Sequence, residues 1–321
     1  MKAIFRTRYG SADVLELKEI DKPLPKDNEV LVRVRAASVN PLDWHVLRGE
    51  PFLVRLMGFG IMKPKHLVLG ADMAGRIEAV GHNVTRFKVG DEVFGSGMGG
   101  FAEYACIRED HATCKPPTVS FEQAAAVPVA GLTALQALRD HGRIQEGHHV
   151  LINGASGGVG TFAVQIARAL GAQVTGVCST RNLELVRSIG AQHAIDYTKE
   201  DYWASGKQYD LIVDNAAFQP ISGSLQALKE TGVYVGVGGS SSTISVLQSL
   251  IFDPIVARFK GKKVVSFVAN VNQADLEIMK ELLETGKIVP AVERTYSLSE
   301  TPQAISHVEQ GHTRGKVVVT V

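Results

Sequence analysis

The sequence predicts an α/β fold: a parallel sheet covered by helices on both faces, preceded by a strand-rich region. Three observations carry this. From about residue 124, short apolar runs alternate with helical stretches, as repeated strand–helix units do. Before that point the runs are short, closed by glycine, and show no long helical period. Within the alternating region, residues 153–160 read NGASGGVG, with four glycines between an apolar run and a helical pattern.

In chain order, residues 30–35 alternate in part, and AGRIEAVG and KVGDEVFG read as strands ending in turns. Later strands are expected at 150–152, 174–177, 211–213, 233–237 and 264–268, with helices at 161–170, 181–189 and 222–230. In the first of these helices Phe162, Ala163, Ile166, Ala167 and Leu170 make one apolar face. A helix near 273–285 follows, and the closing strand KVVVTV is expected to return to the first domain. The expected divisions are 1–123, 124–264 and 265–321.

With 321 residues, 45% apolar and 21% charged, the chain has the size and composition of a soluble two-domain protein. Its net charge of +1 gives no basic surplus for nucleic acid. No apolar run approaches the roughly 20 residues of a membrane span. MKAIFRTRYG carries charges where a signal peptide would be apolar, so a cytoplasmic protein is expected. Cys106, Cys114 and Cys178 are scattered and suggest no disulfide framework.

NGASGGVG sits where a dinucleotide fingerprint belongs, after a strand and before a helix, with a second strand to follow. Ser156, Gly157, Gly158, Val159 and Gly160 would face a pyrophosphate. Gly157 and Gly158 admit the phosphates closely, Gly160 lets the helix pack on the strand, and the helix-start N–H groups face the anion. Ala155 stands where the commonest fingerprint has its first glycine. An NAD site usually has an acid about 20 residues on. Here, 19 residues after Gly160, stands Ser179, with Arg181 beyond it. A hydroxyl and a guanidinium suit the 2′-phosphate of NADPH, which a carboxylate would repel. The alternative is that both merely start the next helix.

AAAVPVAGLTALQAL, INGASGGVGTFAVQIARALGAQV, VCSTRN, IGAQHAIDYT and RGKVVV together resemble the medium-chain dehydrogenase/reductases, over nearly the whole chain. More narrowly, they resemble the quinone oxidoreductase branch, which includes zeta-crystallin and the plant enone oxidoreductases. It implies a GroES-like β-barrel domain built from both chain ends around a Rossmann domain, the cofactor in the cleft between them, and a homodimer. Zinc-dependent members carry Cys, His-Glu and Cys where this sequence has Asn40, Ala71-Asp72 and Val129, and four close cysteines that are missing after Gly97. No metal is therefore expected.

Without a metal to polarise an alcohol or aldehyde oxygen, reduction of a small apolar enone, enal or quinone by NADPH is the leading reading. The alternatives are an NADPH-dependent reductase of another carbonyl, or an NADPH-binding sensor or structural protein. The resemblance places Asn40 at the nicotinamide end, Thr133 near its ribose, and Tyr197 beside the adenosine phosphate; Arg314, in the C-terminal segment, is a further candidate for the same phosphate. Against these stand plainer roles: Asn40 as a turn before Pro41, Thr133 as a cap on ALQALRD, and Tyr197 and Arg314 as surface residues. His45 is a candidate proton donor or a packed ring. Residues 51–62, PFLVRLMGFGIM, are a candidate apolar lid or a packed loop. Residues 243–259 are expected near the cleft or a dimer interface.

Overall fold

The computed structural model describes residues 1–216, 221–237 and 261–321. The stretch 243–259 lies outside them. Two compact units emerge, Met1–Leu132 with Val271–Val321, and Thr133–Asn270.

The first unit opens with a small antiparallel pair, β1 (Lys2–Phe5) and β2 (Glu16–Glu19). Its main sheet is laid down by β3 (Glu29–Val39), β4 (Asp72–Val80), β5 (Glu92–Ser96), β6 (Tyr104–Arg108) and β7 (Ala112–Cys114). β3 is the pivot: 11 residues long, it pairs antiparallel with both β4 and β6. Helix α1 (Pro41–Arg48) follows β3, and α2 (Phe121–Ala125) and α3 (Pro128–Gln136) close this stretch. In α3, Ala130, Leu132, Ala134 and Leu135 are all buried, so that helix is apolar nearly all round, whereas α2 keeps Glu122 and Gln123 partly exposed.

The second unit is a six-stranded parallel sheet. Its strands are β8 (His149–Asn153), β9 (Gln173–Cys178), β10 (His193–Asp196), β11 (Tyr209–Asp214), β12 (Leu228–Val237) and β13 (Lys263–Phe267). The order is β10-β9-β8-β11-β12-β13, the doubly wound arrangement in which the winding direction reverses between β8 and β11. Helices α4 (Gly158–Ala169), α5 (Leu183–Ser188) and α6 (Ile221–Gln226) connect strands. Leu151, Val177, Ile212, Leu225 and Tyr234 form a buried cluster. The helix expected at 222–230 stops at Gln226. Leu228 already pairs with Tyr209 on β11, and Lys229 bonds Asp210 at 2.9 Å, so strand pairing takes those residues from the helix.

The chain then returns. After α7 (Gln273–Glu284), strand β14 (Val292–Ser297) and helix α8 (Thr301–Glu309), the closing strand β15 (Lys316–Thr320) pairs antiparallel with β3, Val317 opposite Val39. The seven-stranded sheet therefore takes in the closing strand beside β3, while β1 and β2 remain a separate pair. Val32, Met73, Ile77, Phe101, Ile107, Val317 and Val319 fill its core.

The start of α1 is fixed by a buried acid. Asp43, fully buried, accepts the N–H of Asn40 at 2.8 Å and that of Gly70 at 3.2 Å. The first is half of a capping box; the second ties the loop before β4 to the helix. Burial, the dominant influence, pushes the Asp43 carboxyl up to about 7, against the pull of those two N–H groups. An unfolded aspartate titrates near 3.9, about three units lower. Between those values the folded state holds the extra proton, so stability falls as pH rises from about 4 to 7. Thermal unfolding should show this as a loss of up to about 1.4 kcal/mol per pH unit. Asp43→Asn, which does not titrate, should remove that component. A difference between the two proteins that is flat over this range would mean that Asp43 titrates normally.

Candidate functional site

The glycine loop lies at the reversal of the second unit's sheet, where ligands of open α/β folds bind. β8 delivers the chain to Gly154, whose φ of +71° is a left-handed turn that favours glycine. Ala155 N–H then bonds Val177 O on β9 at 3.0 Å, and Gly157 N–H bonds Gly154 O at 3.1 Å. Gly157 caps α4 with extended backbone and no side-chain acceptor. The N–H groups opening the 12-residue α4 therefore have no side-chain cap, the usual anion-binding arrangement. A Cβ at Gly160 would fall 2.1 Å from Gly154 O and 2.8 Å from Ala155 Cα, so helix and loop touch backbone to backbone there. A Cβ at Gly157 would meet only Gly154 O, at 3.4 Å, leaving that side open to a ligand. The residues fit a dinucleotide pyrophosphate.

Ala155, the departure from the commonest fingerprint, is accommodated on the neighbouring strand. Its methyl lies 3.0 Å from where a Cβ on Gly176 would stand. Val186 Cγ1 stands closer still to that point, at 2.4 Å, so Gly176 on β9 leaves room for both side chains.

At the ends of β9 and β10 the expected selectivity residues gather. Ser179 starts a short 3-10 turn (Thr180–Asn182) without capping it by its side chain. Asn182 Nδ2 instead donates to Ser156 Oγ at 3.0 Å and to Ser179 Oγ at 3.3 Å, joining loop and strand end. Arg181 is exposed on that turn. Tyr197 N–H bonds Cys178 O at 3.1 Å, and its side chain is exposed. One acid is close by: Asp196. It accepts Thr180 Oγ at 2.5 Å and Thr198 Oγ at 2.7 Å, and these bonds, Thr180's foremost, draw its carboxyl down to about 2. This carboxylate, invisible in a scan for an acid about 20 residues after the loop, is taken up by threonines. Thr133 lies inside α3 rather than ahead of it, so it does not cap ALQALRD; the helix begins five residues earlier, at Pro128.

The first unit holds a second cluster. Asn40, Asp72 and Lys316 are 2%, 0% and 3% exposed, an interior of charge. Asp72 Oδ2 accepts Asn40 Nδ2 at 2.8 Å and Ser38 Oγ at 3.0 Å, and Oδ1 accepts Val129 N–H at 3.0 Å. Lys316 Nζ donates to Asn40 Oδ1 at 2.6 Å and lies 3.9 Å from Asp72 Oδ2. Burial pushes the Asp72 carboxyl up and the Lys316 amine down, while their attraction opposes both. Every partner of Asp72 donates and every close partner of Lys316 accepts, the pattern of carboxylate and ammonium. The amide of Asn40 is thereby fixed, its oxygen toward Lys316 and one N–H toward Asp72. Its second N–H has no acceptor among the described residues. Asn40 is also the residue before α1, so the turn expected before Pro41 is a helix start. Lys316, absent from the expected site, could have been found only from the strand register that sets Val317 against Val39.

His45 lies on α1, half-buried and stacked on Trp44 with ring centres 3.6 Å apart. Its Nδ1 is 2.8 Å from the Glu50 carbonyl, which can only accept, so Nδ1 carries the proton. Burial lowers its pKa, leaving a neutral ring whose Nε2 is an acceptor. Arg314 sits before β15, exposed, with its N–H on Glu293 at 3.0 Å. Among the described residues no three His, Cys, Asp or Glu gather as a metal set, and no helix is long and apolar enough to cross a membrane.

Two family models match this chain, an alcohol dehydrogenase GroES-like domain over residues 26–117 and a zinc-binding dehydrogenase over 189–319. The chain is 33% identical to the chloroplast envelope quinone oxidoreductase homolog of Arabidopsis thaliana, covering 99% of this chain and 98% of that one. It is 33% identical to a mitochondrial NAD(P)H oxidoreductase of Mus musculus, over 98% and 87% of the two chains. With 2-methylene-furan-3-one reductase of Solanum lycopersicum it shares 34% identity over 99% and 79%. The solved quinone oxidoreductase from Coxiella burnetii matches with a TM-score of 0.89 at 33% identity, over 100% of this chain and 99% of that one. The sheet order, the glycine loop and these relatives agree: the chain belongs to the medium-chain dehydrogenase/reductases, in the quinone oxidoreductase branch, and is a nicotinamide-dependent oxidoreductase.

Proposed function

We propose that this chain is an NADPH-dependent, zinc-free reductase of α,β-unsaturated carbonyls or quinones. The observation that carries the reading is the ammonium of Lys316, held 2.6 Å from Asn40 Oδ1, beside residues that the family resemblance sets where zinc-dependent members carry their ligands. Zinc takes thiolate, imidazole or carboxylate donors converging on an accessible position. Here an amide, a buried carboxylate already holding three donors, and a cation are present instead, so these residues do not fit the metal that one family model's description implies.

In the glycine cradle, Ser156 to Gly160 would hold the pyrophosphate and Ser179, Arg181 and Tyr197 the 2′-phosphate, with Thr133 and Arg314 as further contacts. The bound nicotinamide supplies a hydride. An enone or quinone accepts it at carbon and passes negative charge to oxygen, which hydrogen-bond donors alone can stabilise. We assign that donation to the remaining N–H of Asn40, whose orientation Lys316 and Asp72 maintain. Neutral His45, with Nδ1 engaged, suits acceptance better than donation, so the proton is assigned to water. The names of the relatives, quinone oxidoreductase and furanone reductase, support the substrate class.

Three experiments bear on this. With stereospecifically deuterated NADPH and an enone, the label should appear at the β-carbon with the carbonyl intact. Label on the carbonyl carbon would make the chain a reductase of ordinary carbonyls, and no turnover with any enone, enal or quinone would favour a binding protein. Purified enzyme should hold no stoichiometric zinc by elemental analysis and keep its activity in EDTA; activity lost to the chelator and restored by zinc would reject the metal-free reading. Arg181→Ala should weaken NADPH binding about 10–100-fold while NADH binding barely changes. Adding Ser179→Asp should invert the preference. Equal losses for both nucleotides would mean that Arg181 only shapes the turn.

A further inference from the structure

The segment after α1 presents apolar side chains to solvent in unusual density. Phe52, Leu56, Met57 and Ile61 are each more than half exposed, and Met62 is 90% exposed. The backbone beneath them is tied down. Tyr9 donates its hydroxyl to the carbonyls of Phe59 and Gly60, Arg6 donates to His66 O at 3.1 Å, and Arg55 donates to Gly49 O at 2.9 Å. Lys65 N–H also bonds Phe59 O at 2.8 Å across the loop. The side chains are thus displayed by an anchored loop, which is costly in water unless something covers them.

Charge indicates what does. Between Glu50 and Asp72 there is no acidic residue, while Arg55, Lys63 and Lys65 are present, a surplus of three cations. Lys63 and Lys65 are exposed, directly follow Met62, and form no ion pair among the described residues. Bulky apolar tips beside lysines on long apolar stems match the boundary of an anionic bilayer: tips enter the acyl edge and ammonium groups remain among the headgroup phosphates. A groove on a protein partner would call for polar groups of fixed direction in the patch, and these residues offer none.

We propose that residues 52–65 form a peripheral docking loop for anionic lipid membranes, with Ile61 and Met62 inserting and Lys63 and Lys65 holding the headgroups. This is independent of the reductase reading, and its test needs no turnover. The purified full chain is sedimented with vesicles of phosphatidylcholine alone or mixed with phosphatidylglycerol, at low and high salt. It should bind the mixed vesicles, weakly or not at all the neutral ones, and lose affinity as salt rises. Lys63→Gln with Lys65→Gln should weaken binding about 25-fold, near five-fold for each lysine. Ile61→Ser with Met62→Ser should abolish it while the thermal unfolding midpoint is unchanged, as both sites are exposed. Failure to bind mixed vesicles, or binding that neither variant alters, overturns the proposal. So does self-association of the wild type, seen by light scattering and abolished by the serine variant without any vesicle binding, which would make a second copy of the chain the occupant.

Discussion

A buried ammonium–carboxylate pair organises the first unit. Lys316 and Asp72 lie on two strands that do not touch each other, β15 and β4, on either side of β3. Their bonds run through Asn40 and Ser38 near the end of β3, so three strands are joined where α1 begins. Each charge alone would be costly to bury, and removing one partner of such a pair typically costs about 3–5 kcal/mol because the other is stranded. The pair is thus a condition for the local fold, and as a source of net stability it counts for less, since well-packed apolar residues often do as well. What apolar residues would not supply is orientation. With Oδ1 held by an ammonium and one N–H by a carboxylate, the Asn40 amide has one arrangement, and an amide free to flip could not present its N–H reliably.

The second unit depends on close backbone contact instead of charge. Gly160 lets α4 lie against the turn at Gly154, and Gly176 makes room for the Ala155 methyl. The bare backbone at Gly176 leaves room for both the Ala155 methyl and the Val186 side chain, so the loop's departure from the commonest fingerprint is accommodated on the neighbouring strand. A scan of the loop alone records only the departure, and the compensation lies 21 residues away in sequence, next to the loop in space.

Much of this architecture was legible in the sequence for local reasons. The strands of the parallel sheet are apolar runs, the glycine loop lies between strand and helix, and the closing valines read as a strand. Helix α3 was legible only in part: ALQALRD reads as a helix, but its start at Pro128 does not, because a helix buried nearly all round has no amphipathic period. Nor was the start of β12 legible, where pairing of Leu228 with Tyr209 overrides a local helical pattern. In the candidate site, Asn40 and the phosphate-facing residues stood in recognisable motifs. Lys316 and Asp72 also stood in such stretches, RGKVVV and Ala71-Asp72, but their pairing did not show, since a lysine in a closing strand reads as a solvated charge until the register with β3 turns it inward. Likewise Asp43 reads as an ordinary first-turn acid; only its burial makes it a proton-binding cap.

Helix α1 connects the two places where this unit inverts the usual rule of apolar inside and polar outside. At its start, Asn40 enters the ion pair's network; at its end, Arg6, buried, donates to the carbonyls of Val46 at 2.7 Å and Leu47 at 3.1 Å. That arginine also holds His66 O, at the base of the apolar loop. Burial without a carboxylate partner lowers its pKa to about 10, yet its contacts, all acceptors, require the guanidinium form. A cation is thus buried at either end of an eight-residue helix, Lys316 orienting its first amide and Arg6 satisfying its last carbonyls. Such inversions are tolerated where function demands them. A rotation of α1 would disturb both at once, so the amide assigned to the oxyanion and the loop assigned to the membrane share a single rigid support.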